Sequence, residues 1–328
     1  MSNYKIYAIG AALVDTEVEV TDSFLSQHAI DKGVMTLVDQ SRQTELISSL
    51  NRNGASLLRQ SGGSACNSVV AAAQLGSKTY FGGKVADDDD GKLYAADLTQ
   101  AGVSHCFSPE DQGVTGTCLV MVTADAERTM NTYLGVSDNF SHSEINQTAI
   151  ADSEWFYVEG YLQTDDRRTA VVKSAVEFAK QLGVKVCLSL SDPFVAQIFA
   201  DNLKSVIGDG IELIFCNKDE ALAFTGAADL SEAAESLKLY AKTFAITDGA
   251  KGATIFDGNS LLHVSGFKAK AIDTNGAGDM FAGAFLYAIT SGASYSKAAE
   301  LANQAAAMVV ERFGPRLEPA DFELLKIN

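Results

Sequence analysis

The chain has 328 residues, 47% of them hydrophobic, with a formal net charge of −17 and no basic cluster. That length holds one large domain or two modest ones around a substantial core. The acidic balance excludes a generic nucleic-acid or anionic-membrane partner, which requires Lys and Arg to neutralise phosphates, but one small anionic ligand needs only a local site.

The N-terminal stretch MSNYKIYAIG lacks the basic and apolar regions of a signal peptide and reads as the start of a first strand. Strands rich in β-branched and aromatic residues are predicted at IYAIGAALV (6–14), TYFGGKV (79–85), WFYVEG (155–160), VKVCLSL (184–190), IELIFCN (211–217) and TFAITDG (243–249). Helical patterns occupy 41–52, 66–75, 91–100, 166–182, 218–224, 231–241, 277–291 and 296–312. This alternation predicts βαβ units and an α/β fold with a mostly parallel sheet covered on both faces.

Two regions, 16–38 (VEVTD, GVMTLVD) and 116–134 (GTCLVMVT, RTMNTYLG), read as a small β-sheet projecting from that core. Such a sheet beside the C-terminal ends of parallel strands acts either as a lid that excludes water or as an insertion used for dimerisation. GATIFDGNSLLHVSG (252–266) reads as a separate hairpin with Asp257-Gly258 at its turn.

No apolar run reaches the roughly 18 to 20 residues of a membrane helix. The five cysteines, at 66, 106, 118, 187 and 216, form no CxxC pair and are odd in number. Neither a disulfide framework nor a zinc knuckle is expected, and a reducing cytoplasm fits. The acidic run DDDD (87–90) reads as a helix cap and solvated loop rather than a metal site.

The stretch IDTNGAGDMFAGAF (272–285) places Gly276, Ala277 and Gly278 where a helix begins. Backbone N–H groups there lack intrahelical partners, and the helix dipole favours an anion. Asp279 in the first turn can aim a carboxylate at a reacting centre, as a general base beside a phosphate does. The alternative is a helix start that carries Asp for dipole reasons alone. The P-loop pattern GxxxxGK[ST] is absent, and Phe281 breaks GxGxxG.

DTNGAGD (273–279) resembles the DTxGAGD signature of the ribokinase-like PfkB family of carbohydrate and nucleoside kinases. SGGSACNS (61–68) is similar to the family's glycine-glycine motif, and NKDE (217–220) to its NxxE motif, in the family's order. The resemblance implies a single three-layer α/β/α kinase domain over 1–328 with a small β lid, using ATP and Mg²⁺. It implies that Asp279 is the base, with an anion hole from Gly276, Ala277 and Gly278. Asn217 and Glu220 would hold Mg²⁺ through its water shell, with Asp273 supporting the loop or that shell. Thr274 would lie near the phosphates, TDGAKG (Thr247, Asp248, Gly249, Gly252) around the nucleotide, and Asn303 beside the adenine. K⁺ is expected only because many family members bind a monovalent cation.

On the acceptor side, the resemblance places Asp15 on two sugar hydroxyls, with Gly63 letting the sugar approach and Ser64 and Asn67 as polar contacts. Glu159 is either a salt-bridge partner or a substrate contact. Ser64 stands where ribokinases carry Lys, and LSLSDPF (188–194) resembles an adenosine-kinase segment, so Phe194 becomes a stacking candidate. RTMNTYLG and GVMTLVD look like lid segments of bacterial adenosine-kinase-like proteins, making Asn131 and Leu134 pocket-wall candidates. The expected acceptor is adenosine at its 5′ hydroxyl, with ribose, fructose or a related sugar as the alternative. Homodimerisation through the lid stays open. A silent nucleoside-binding protein and a nicotinamide dehydrogenase are the readings from other classes; the intact Asp279 argues against the first and the missing GxGxxG against the second.

Overall fold

In the computed structural model, residues 3–52, 54–107 and 112–325 are described; Met1 and Ser2 of the N-terminal stretch lie outside them. In chain order the strands are β1 (Tyr4–Ile9), β2 (Leu13–Glu19), β3 (Met35–Leu37), β4 (Leu58–Gly62), β5 (Thr79–Gly82), β6 (Val103–His105) and β7 (Gly116–Val122). They continue as β8 (Arg128–Tyr133), β9 (Ser153–Glu159), β10 (Lys185–Ser189), β11 (Ile211–Asn217), β12 (Ala241–Thr247), β13 (Ala253–Phe256) and β14 (Leu261–Val264).

The larger sheet has nine strands in the order β14-β13-β12-β11-β10-β9-β1-β5-β6. Pairing is parallel from β12 through to β6, and β13 and β14 add an antiparallel hairpin at one edge. Along β1, Ile6 and Ala8 pack into one core and Tyr7 and Ile9 into the other, so both faces are covered. The first core takes the helices Ser64–Gln74, Ala277–Thr290 and Tyr295–Val309, and the second takes Asp166–Gln181, Ala200–Ile207 and Lys218–Thr225. This is the expected three-layer α/β/α arrangement.

The smaller sheet has the order β3-β8-β7-β2-β4. Its side chains alternate as the pleat requires. Leu13 and Asp15 of β2, Cys118 and Val120 of β7, and Met130 and Thr132 of β8 face one cavity between the two sheets.

The structure corrects several sequence expectations. The predicted strand 6–14 is two strands: it breaks at Gly10, where a Cβ would stand 2.4 Å from the Glu159 carboxylate, and β2 continues in the smaller sheet. The 252–266 hairpin is not separate but extends the main sheet from β12. The helix predicted at 231–241 ends at Leu237, because β12 already starts at Ala241. The short helix Asp22–Gln27 and strand β4 were not anticipated, nor were the helices Pro193–Ile198 and Ala200–Ile207. Their signal was present in one case: Asp192 caps the Phe194 amide and Pro193 opens the helix, a common start pattern.

Candidate active site

The helix Ala277–Thr290 starts from Gly276, which has a left-handed φ of 72° and offers no side-chain cap. A Cβ at Gly276 would also lie 2.4 Å from that of Pro315, so this glycine answers both to its backbone conformation and to packing. Gly278 differs: a Cβ there would meet nothing within 4 Å. Ala277, Gly278 and Asp279 all border the cavity, which has a volume of about 570 Å³. An uncapped helix start facing open space can receive an anion by geometry and dipole.

Two motifs more than 200 positions apart meet at Asp279. Ser64 Oγ donates to its Oδ1 at 2.6 Å, and Asn67 Nδ2 donates to its Oδ2 at 3.1 Å. Burial raises the Asp279 pKa above the ordinary carboxylate value, while those two hydrogen bonds and the charges of Arg128 and Arg316 oppose the rise. Both carboxylate oxygens are thus held by side chains of the Ser64 helix, in a residue that borders the cavity. Gly63 caps the Ser64 helix with a φ of 94°, and a Cβ there would stand 2.2 Å from the Ala11 carbonyl oxygen.

Asp15 lines the same cavity and is 6% exposed, yet among the described residues no group donates a hydrogen bond to it. Burial pushes its pKa up to about 7; Arg316 opposes this, and Asp279 and Glu159 add to it. The apolar side chains Leu13, Met35, Cys118, Val120, Met130 and Leu134 form a wall of the same cavity. Among the described residues Glu159 makes no salt bridge. Its oxygens accept from the amides of Ala11 at 3.2 Å and Ala65 at 2.9 Å, bracing the break after β1 against the Ser64 helix. Burial moves its pKa to about 7.

Asn217 and Glu220 form a capping box at the start of the helix Lys218–Thr225. Glu220 N donates to Asn217 Oδ1 at 2.8 Å, Asn217 N returns to Glu220 Oε2 at 3.0 Å, and Asn217 Nδ2 donates to Oε1 at 2.6 Å. Both residues border the cavity, beside Thr247, Asp248, Gly249 and Thr274. Burial raises the Glu220 pKa to about 7.

Six candidates lie away from the cavity lining; Gly276, which starts the helix behind Ala277 and Gly278, is one of them. Asn131 is on the opposite face of β8 from Met130 and Thr132, next to Gln43, so strand parity turns it away. Phe194 is 59% exposed and makes an edge contact with Phe199 instead. Asn303 is buried, donating to the carbonyls of Val264 at 3.0 Å and Ser265 at 3.2 Å. Gly252, at a φ of 97°, makes the turn before β13. Asp273 is fully buried and accepts from Asn275 N at 2.8 Å and Gly314 N at 3.0 Å, which assigns it to loop support.

Two charged groups were missed from sequence, Arg128 in the cavity lining and Glu17 buried outside it. Arg128 faces the cavity from β8, and its side chain donates to Asn275 Oδ1 at 3.4 Å. Glu17 lies two residues beyond Asp15 and receives Asn275 Nδ2 at 2.6 Å, while its Oε2 has no donor. Burial, then Asp15 and Asp273, push its pKa to about 8. The alternation Leu13, Asp15, Glu17 along one strand face was the available signal for Glu17. Arg128 shared the cavity parity with Leu134, which was also legible.

Among the described residues no helix is long and apolar enough to cross a membrane, and no group of three or more His, Cys, Asp or Glu is placed to hold a metal. The cysteines are all free.

The chain matches the family of pfkB carbohydrate kinases over residues 30–321. It is 25% identical to an adenosine kinase of Schizophyllum commune, with 99% of this chain and all of that protein covered. It is 31% identical to a ribokinase of Haemophilus influenzae, over 77% of this chain and 82% of the relative. The solved structure of an adenosine kinase from Sinorhizobium meliloti superposes with a TM-score of 0.91 at 32% identity, covering 98% of this chain and 99% of that one. With its three motifs gathered at one cavity, the chain belongs to the pfkB family of carbohydrate kinases and is a phosphotransferase that uses an alcohol group as acceptor.

Proposed function

We propose that the protein transfers the γ-phosphoryl group of ATP to the 5′ hydroxyl of adenosine. One observation carries the acceptor: Asp15 is a buried carboxylate with no donor among the described residues, in a cavity that it shares with an apolar wall. A carboxylate in that state suits two neighbouring ribose hydroxyls, and the wall suits a planar base. A free sugar would use the carboxylate and leave the wall unfilled. The adenosine kinases of Schizophyllum commune and Sinorhizobium meliloti support this reading.

In this reading Asp279 takes the proton of the acceptor hydroxyl. Its raised pKa favours proton uptake, and Ser64 and Asn67 hold the ionised form in place beforehand. The amides at the start of the Ala277 helix receive the charge that builds on the transferred group, and Arg128 faces it from the small sheet. Thr247, Asp248, Gly249 and Thr274 border the nucleotide side. Mg²⁺, when bound, neutralises phosphate charge; the hard oxygens of Asn217 and Glu220 fit an ion held through water, since their mutual capping bonds leave lone pairs but no cage. A K⁺ requirement, a location in the cytoplasm and a homodimer through the small sheet belong to the same reading. Exposed Leu58 on that sheet and Val34 just before β3 support the dimer. The small sheet acts as a lid that closes over the acceptor.

The test is a phosphorylation screen of adenosine, other nucleosides, ribose and fructose with ATP and Mg²⁺, repeated with Na⁺ in place of K⁺. Adenosine should give the highest kcat/KM. A preference for ribose or fructose would transfer the assignment to a sugar kinase, the reading that the ribokinase relative supports.

A further inference from the structure

The segment Gly314-Pro315-Arg316 belongs to none of the three motifs, yet it touches all the parts around Asp279. Gly314 N–H donates to Asp273, Pro315 packs on Gly276, and Arg316 reaches Asn67. The Arg316 side chain is 11% exposed and is itself firmly placed: Nη1 donates to Asp97 Oδ2 at 2.8 Å, and Nη2 to Ser61 Oγ at 2.8 Å and to the Ser61 carbonyl. Asp97 in turn accepts from Ser61 N at 2.9 Å and Ser61 Oγ at 2.5 Å. With this anchoring, Arg316 Nε and Nη2 donate to Asn67 Oδ1 at 3.3 and 3.4 Å.

A side-chain amide has two orientations related by a half-turn, one presenting N–H and the other C=O. Only the first can donate to Asp279, as Asn67 Nδ2 does at 3.1 Å. The second would set a carbonyl oxygen against a carboxylate and turn N–H groups toward a guanidinium, which has only donors. We propose that Arg316 is a positioning residue for the phosphoryl-transfer base, locking the Asn67 amide so that its N–H holds Asp279. The proposal rests on the reading of Asp279 as that base.

Arg316 also contributes a charge. It lowers the pKa of Asp279, against burial; Asp15, Glu159 and Glu220 are the other acids coupled to this site, and Arg128 is the second cation acting on Asp279. The orientation effect and the charge effect are separable. Lysine retains the charge and loses the planar fork.

The experiment replaces Arg316 and its counter-ion together, Arg316→Gln with Asp97→Asn, so that no charge is left buried and unpaired. Expected is a drop in kcat of about tenfold or more, with the acceptor KM within about threefold, and an acid limb of the kcat profile moved to higher pH. Arg316→Lys should restore the acid limb but not kcat. In an Asn67→Ala background the further loss from the double replacement should shrink to within about twofold, because the effect runs through Asn67. An undiminished loss in that background, or wild-type kcat in the double variant, would overturn the proposal. A crystal structure of the double variant decides the matter without any acceptor. Asn67 should rotate or lose its bond to Asp279, and retention of that bond would refute the positioning role. A wild-type enzyme inactive on every acceptor would instead sink the functional reading, while this structure still judges Arg316.

Discussion

Asp15→Asn should stabilise the ligand-free protein while disabling it. Asp15 is 6% exposed with no donor among the described residues, and burial raises its pKa from 3.8 to about 7. A folded-state pKa above the unfolded one means that the fold favours the protonated acid, so stability falls as pH rises from the unfolded value through the folded one. At about pH 8 the ionised form then costs on the order of 4 kcal/mol, and at about pH 5 well under half of that. An unfolding entropy of ~2.1 cal/mol/K per residue over 328 residues gives ~0.7 kcal/mol per degree. The Asn variant should therefore melt about 6 °C higher than wild type near pH 8, and about 2 °C higher near pH 5. Losing two hydrogen bonds to a charged acceptor, ~1.5–3 kcal/mol each, should lower kcat/KM for adenosine roughly 10²- to 10⁴-fold. Differential scanning calorimetry at both pH values and steady-state kinetics read out the two halves. A variant that melts below wild type near pH 8, or gains equally at both pH values, would refute the reasoning, because the carboxylate would then have a partner in the free protein.

Asp279→Asn should lower kcat by about 10³-fold or more while ATP affinity, measured by calorimetry, stays within about threefold; near-wild-type turnover removes the general-base assignment. The two loop glycines should separate in their effects. Gly276→Ala forces a positive φ and a clash with Pro315, so its melting temperature should drop by several degrees. Gly278→Ala meets open space and should keep its melting temperature while losing kcat, since the methyl group enters the anion site; a stable, fully active Gly278→Ala enzyme argues against that site. Phe194→Ala should change kcat/KM for adenosine by no more than about twofold, because the ring is 59% exposed and outside the cavity; a large selective loss of nucleoside use would restore a stacking role.

The sequence patterns that survived contact with the structure were those tied to a strong local cause. Glycines and an acid at the helix start located the Ala277 helix, the helical pattern 218–224 the Lys218 helix, and long apolar runs the parallel strands. What stayed hidden depended on distant neighbours. The run 6–14 is uniformly apolar because β1 is covered on both faces and β2 carries the cavity wall, so nothing in its own hydrophobicity marks the break at Gly10; that break follows from Glu159, about 150 positions away. Asn131 and Leu134 were chosen together from a resemblance, although an odd spacing along a strand puts two residues on opposite faces. Asn217 and Glu220 resembled a metal motif, and the structure adds a capping box made from the same atoms. Arg316 lay outside every motif and gains meaning only through Asn67.

The small sheet also bears on how the molecule assembles. Its β7–β8 pairing is a local hairpin, but β2 pairs with β7 in the register Leu13 to Gly116, a separation of 116 − 13 = 103 positions. Loop closure over that distance is slow compared with hairpin formation. The wall of the Asp15 cavity therefore exists only after the two halves of the sheet have found each other. A refolding chain should regain most of its secondary structure before it regains turnover, and the acceptor pocket should be among the last features to return.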